Sequence, residues 1–186
     1  TSLADGWLYH HGQIANVYDR DWARLFRAVG YFPTWLLIAV AVWLEQRPAD
    51  AIRARRNGLG LLLAPGLTGL AAEVVKLLVR RDRPGLHDGD YAFRSFLDHP
   101  FRSTDFGLPS SHAAVAFGGA ALAAQLFPRA APVLYLLALG CGVTRILAGA
   151  HFASDVAVAA ALGVLTATLL GRRMGIGRDA PSVSEG

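Results

Sequence analysis

The sequence predicts an all-α integral membrane protein: a helical bundle of about five transmembrane helices, with an N-terminal amphipathic helix lying in the membrane interface. Three observations carry this expectation. Of 186 residues, 53% are hydrophobic and 17% charged, which is more apolar than an ordinary soluble domain. Five apolar stretches, at 28–44, 57–79, 106–128, 130–150 and 152–171, occupy most of the chain, each near the ~20 residues that a helical span requires. Upstream of them, apolar residues between 14 and 29 recur at intervals of three and four. The length suits a single domain over 1–174 with its membrane core at 28–171, and the Gly-, Pro- and Ser-rich tail 175–186 is expected to be disordered.

Composition narrows the function classes. Cys141 is the only cysteine, so no internal disulfide forms, and no Cys/His spacing of the zinc-binding kind occurs. The net charge of +4 comes from 17 Arg and one Lys against 14 acids, and the Arg are dispersed along the chain, so nucleic acid is not an expected partner. Residues 1–9 lack the basic start and apolar run of a signal peptide.

The elements follow in order. Ile14, Val17, Tyr18, Trp22, Leu25, Phe26 and Val29 form one face, while Asp19, Arg20, Asp21, Arg24 and Arg27 form the other. A helix on a soluble core would share that pattern; beside membrane spans, and with Trp7, Tyr9 and Trp22 present, it reads as interfacial. The stretch 28–44 has no charge, and 106–128 is interrupted only by His112. The other stretches carry ionisable residues near one end: Glu73 and Lys76 late in the second, Arg145 late in the fourth, His151 and Asp155 early in the fifth. If successive spans alternate in direction, these groups and His112 meet at one membrane face. Either they snorkel separately to the headgroups or they build a site, and a short Asp and a His reach too little for the first. Ten of the 18 basic residues fall on the face where these groups meet, so a raw count does not set the orientation; with the basic residues that read as site residues set aside, Arg47, Arg53, Arg55, Arg56, Arg129, Arg172, Arg173 and Arg178 make the opposite face cytoplasmic by the positive-inside rule. The convergent face is then extracytoplasmic, at a bacterial inner membrane.

Three motifs carry chemistry. Lys76, the only lysine, is followed by Arg83-Pro84, with the proline fixing where Arg83 leaves the helix. A compact ammonium and a forked guanidinium suit a tetrahedral dianion such as phosphate, although a basic cluster at a membrane edge also attracts anionic headgroups. Pro109-Ser110-Ser111-His112 opens the third stretch, where Ser110 or Ser111 can cap the helix and first-turn amides can face an anion. His112 there can stay neutral or donate a proton. Arg145 ends the fourth stretch, and His151 and Asp155 stand one helical turn apart, so that the carboxylate can hold one ring nitrogen and leave the other free to attack.

In this order and spacing, Lys76-x6-Arg83-Pro84, Pro109-Ser110-Ser111-His112 and Arg145-x5-His151-x3-Asp155 strongly resemble the three-part signature of the type 2 phosphatidic acid phosphatase superfamily. Ser111 stands where that family commonly has Gly, and Thr144 where it commonly has Ser. Six spans are common in the family; here the 14–29 helix takes the place of the first. The resemblance implies a metal-independent lipid phosphatase that needs no cofactor and works through a phosphohistidine. His151 would be the nucleophile, Asp155 its orienter and His112 the acid for the leaving oxygen. Lys76, Arg83, Ser110, the Ser111 amide and Arg145 would hold the phosphoryl oxygens. The expected partners are the membrane and a lipid phosphate, such as phosphatidylglycerol phosphate, phosphatidic acid, a polyprenyl pyrophosphate or a phosphorylated glycolipid. A lipid phosphotransferase using the same intermediate and a catalytically silent scaffold of the same fold are the alternatives. Oligomeric state is not legible in the sequence.

Overall fold

The computed structural model describes residues 2–177 and is an all-α membrane bundle. Its helices are α1 (Leu3–Gly12), α2 (Asp21–Val29), α3 (Phe32–Gln46), α4 (Ala51–Val79), α5 (Ser111–Leu126), α6 (Ala131–Leu147) and α7 (Ala153–Met174). Among the described residues the only β pairing is two isolated bridges, Arg81 with Phe93 and Asp82 with Phe106, in the loop between α4 and α5.

Helix α5 is the axis of the bundle. Residues 113–123 are buried without interruption, and the helix packs on α4, α6 and α7. Its Ala- and Gly-rich sequence permits this, because small side chains let neighbouring backbones come close and so gain dispersion contacts. A Cβ on Gly119 would lie 2.2 Å from the Trp35 ring of α3. Outward faces of the surrounding helices expose Leu37, Leu70, Leu136 and Leu165, as a surface against lipid requires.

Three helices, α4, α7 and the α6 segment beginning at Pro128, are each long and apolar enough to cross a membrane, and α2 with α3 makes a fourth if the bent pair is taken as one span. The expected count of about five falls short at α5. Of the stretch 106–128, only 16 residues are helical, which at about 1.5 Å per residue is shorter than a full span. Residues 106–110 are not helical: Phe106 forms an isolated bridge with Asp82, and the chain bends at Leu108 and Pro109 before α5 begins.

The single helix expected over 14–29 is broken. Asn16 adopts a left-handed φ of 51°, which Asn tolerates, and a 3-10 turn at Val17–Asp19 follows before α2 begins. Helix α2 then meets α3 at 67°. Gly30 sits at that corner, where a Cβ would approach the Cys141 sulfur and the His112 carbonyl oxygen to 2.8 Å, so glycine lets the corner press against the start of α5. Helix α1 had no periodic signature; Ser2 caps it by accepting the Asp5 amide at 3.2 Å. Asp50 caps α4 by accepting the Arg53 amide at 2.9 Å, which places Arg53, Arg55 and Arg56 on the helix rather than in a loop. Gly175, with a φ of 68°, ends α7, and Ile176 turns back to pack beside Gly60. The rest of the expected tail, Arg178 included, lies outside the described residues.

Candidate active site

The ends of four helices bring the motif residues together. Lys76 lies in the last turn of α4, Ser110 and His112 at the start of α5, Arg145 in the last turn of α6, and His151 and Asp155 lead into α7. Backbone hydrogen bonds join these ends: the Ser110 amide donates to the Asp155 carbonyl at 3.2 Å, and the Gly107 amide to the Arg81 carbonyl at 2.8 Å. Gly107 is confined, since a Cβ there would stand 2.9 Å from Asp155 Oδ2.

His151 and Asp155 are both buried. The His151 Nδ1 lies 2.9 Å from the Gly107 carbonyl oxygen and 3.4 Å from Asp155 Oδ2, so the nearer acceptor is the carbonyl. Either contact requires a proton on Nδ1 and leaves the Nε2 lone pair free. The Asp155 carboxylate has other duties: Oδ2 accepts the Phe152 amide at 2.8 Å, closing the first turn of α7, and Oδ1 accepts the Arg81 guanidinium. Burial pushes His151 below the ordinary histidine range; Asp155 opposes this, while Arg145 and Arg83 reinforce it. A neutral imidazole is the form that can act as a nucleophile.

Around this pair stand the cations. Arg83 and Arg145 each keep a buried Nε without a hydrogen-bond partner, and the buried Ser110 hydroxyl is likewise unpartnered. Burial, and then the nearness of Arg145, lowers the Arg83 pKa from its ordinary value. Buried donors without acceptors, held beside a like charge, suit a ligand rich in anionic oxygens. Lys76 is partly engaged already. Its Nζ lies 2.8 Å from Glu73 Oε1 and donates to the Ser111 hydroxyl, which donates in turn to Glu73 at 2.6 Å; Ser103 holds the other Glu73 oxygen at 2.7 Å. Lys76 thus has a carboxylate partner of its own, and Ser111 contributes a hydroxyl link as well as an amide. His112 sits on the first turn of α5, half-buried, with its ring edge-on to Tyr31 at 5.4 Å and within the field of Arg145, Arg27 and Lys76.

Several residues in this neighbourhood were not legible as site residues. Arg81 binds Asp155 and also donates to the Ser154 hydroxyl at 2.8 Å. Asp5 of α1 is buried, accepts the Ser154 amide at 3.1 Å, and also accepts the Ser154 and Tyr91 hydroxyls. Tyr18 accepts from Arg145 at 2.7 Å. In the sequence Arg81 is only one more basic residue between Lys76 and Arg83, and Glu73 only one of the ionisable groups that converge on this face. Asp5 carried no signal at all.

The model of the PAP2 superfamily matches residues 57–175 of this chain. A protein of Rhizobium johnstonii named lipid A 1-phosphatase is 33% identical over 128 residues, which are 67% of this chain and 52% of that protein. One of Rhizobium etli with the same name is 32% identical over 128 residues, 67% of this chain and 55% of the relative. The chain thus spans about half the length of these relatives. No solved structure matches it significantly.

Proposed function

The chain belongs to the PAP2 superfamily, and on that premise we propose that it removes phosphate from a lipid phosphate ester by way of a phosphohistidine. The observation that carries this reading is the set of buried, unpartnered donors on Ser110, Arg83 and Arg145 around a histidine whose Nδ1 proton is already held. Lys76, Arg83, Ser110, the Ser111 amide and Arg145 bind the equatorial oxygens, where charge must be stabilised as phosphorus transfers. Nε2 of His151 attacks phosphorus. The bond to the lipid oxygen breaks, and that oxygen takes a proton from His112. Water, giving a proton back to His112, then cleaves the phosphorus–nitrogen bond and releases phosphate. Asp155 balances the positive charge that develops on His151, and Arg81 holds Asp155 in place.

The substrate reaches the site from the extracytoplasmic leaflet with its chains in lipid. This orientation is supported by the arginines gathered at the other end of the bundle. Because the similar rhizobial proteins are named lipid A 1-phosphatases, a glycolipid with an anomeric phosphate is the first substrate to test. The experiment is phosphate release by the purified chain in detergent from lipid A, phosphatidylglycerol phosphate, phosphatidic acid and a polyprenyl diphosphate. Release from at least one, abolished in His151→Ala, is expected; release from none rejects the reading.

A further inference from the structure

Tyr18 and Arg27 lie outside the three motifs and outside the family match at 57–175, yet both face the same cavity as Arg145. That cavity, of about 400 Å³, is lined by Asn16, Tyr18, Asp19, Arg27 and Arg145 together with Ile14. The N-terminal segment is built to present Tyr18 there. The Ile14 amide ties it to the Leu147 carbonyl at 2.8 Å, and the Arg24 side chain holds the Tyr18 carbonyl at 2.6 Å. The Tyr18 hydroxyl donates to the Thr144 carbonyl at 3.2 Å and accepts from Arg145 at 2.7 Å.

The Tyr18 ring carries the Arg27 guanidinium 4.4 Å from its centroid, and that of Arg145 lies 5.6 Å away. Stacking of this kind fixes a cation while leaving its N–H groups available. The Nε of Arg27, like that of Arg145, is buried without a hydrogen-bond partner. Neither arginine has an ion pair among the described residues. Asp19, the one acid lining the cavity, has a side chain 78% exposed and faces Arg24 at 3.9 Å. Two guanidiniums held against one phenol repel each other unless an anion joins them.

Resting on the phosphatase reading, we propose that Tyr18 and Arg27 form with Arg145 a second anion subsite, which binds an acidic group of the leaving portion beside the scissile phosphoryl. A diphosphate ester cleaved at its terminal phosphoryl has that shape. His151 attacks the terminal phosphorus, the bond from it to the bridging oxygen breaks, and that oxygen leaves on the lipid monophosphate with the proton of His112. Arg27 holds the charge of the departing monophosphate, which a monophosphate substrate never presents.

The test compares farnesyl diphosphate with farnesyl monophosphate, two esters of one alcohol, on the full chain in detergent. Wild type should favour the diphosphate in kcat/KM. Arg27→Gln should lower kcat/KM for the diphosphate about tenfold or more, the worth of a charged hydrogen bond, and the monophosphate by much less; Arg27→Lys should recover part of the loss. The inhibition constant of methylenediphosphonate should rise in Arg27→Gln more than that of orthophosphate. An equal fall on both esters, or no fall on either, overturns the subsite while leaving the phosphatase reading intact. A wild type that cleaves neither ester, nor any other lipid phosphate, counts against that reading instead. In that case stabilisation by methylenediphosphonate, read as a thermal shift in wild type and lost in Arg27→Gln, still decides the subsite, and no stabilisation of wild type overturns it.

Discussion

Replacing Arg81 by glutamine tests the contact on which the orientation of Asp155 depends. Arg81 is buried, binds Asp155 and donates to Ser154 at 2.8 Å, and its guanidinium lies 4.6 Å from the Tyr91 ring centroid and 5.2 Å from that of Phe152. The variant removes a charge from a fully buried carboxylate. Breaking a buried ion pair from one side costs about 3–5 kcal/mol, which in a chain of this size corresponds to a fall of roughly 6–20 °C in Tm. A second effect separates positioning from mere stability. Without Arg81, the nearest cation that Asp155 can acquire is protonated His151, 3.4 Å away, so the histidine should hold its proton to higher pH. The protonated ring cannot attack. In wild type the acid limb of kcat/KM should therefore fall below the usual histidine value of ~6.5, and in Arg81→Gln it should move upward. The assay is a pH profile of phosphate release in detergent beside a melting curve. A variant with unchanged Tm and an unmoved acid limb would refute the assignment of Arg81.

The remaining predictions concern other parts of the site. His112→Ala should slow turnover of a lipid phosphate by about 10²–10⁴-fold and p-nitrophenyl phosphate by less, since the better leaving group needs no acid; equal losses on the two substrates would contradict the role. Asp5→Asn should loosen α1 from the start of α7. Burial acts to raise the Asp5 pKa, but the Ser154 and Tyr91 hydrogen bonds and the nearby Arg81 prevail and lower it, so its stabilising contribution is present at neutral pH and is lost as pH falls through that lowered value. Melting curves against pH should show wild type and Asp5→Asn converging in acid. Gly107→Ala should impair activity by displacing Asp155, to which the added Cβ would come within 2.9 Å, and an Ala variant with wild-type kcat would show that the loop segment at Gly107 is free to shift.

Much of this arrangement could be read from the residues. Lys76, Arg83, Ser110, Ser111, His112, Arg145, His151 and Asp155 lie near helix ends, and alternation of direction brings such ends together. Local patterning was weaker wherever tertiary contacts decide the backbone. The pattern of 14–29 reads as one helix, but the pairing of Tyr18 with Thr144 and Arg145 favours a turn at Asn16 that no periodicity encodes. The apolar stretch 106–128 reads as a span, yet its first residues stay outside the helix, where the Gly107 carbonyl meets His151. Asp5 is legible only through its partners: an isolated acid near a chain end resembles a solvated one until Ser154 and Tyr91 are seen around it. Glu73 and Lys76 are legible as ionisable residues late in one apolar stretch, whereas the Ser111 hydroxyl between them depends on how closely α4 approaches α5.

The central claim is that His151 carries the phosphoryl group. Rapid-quench trapping with a 32P-labelled lipid phosphate, followed by peptide mapping, measures it directly. The expected result is an acid-labile, base-stable phosphoenzyme on His151, absent in His151→Ala and formed more slowly in His112→Ala. A phosphoryl group on another residue, or turnover by His151→Ala at the wild-type rate, would contradict it.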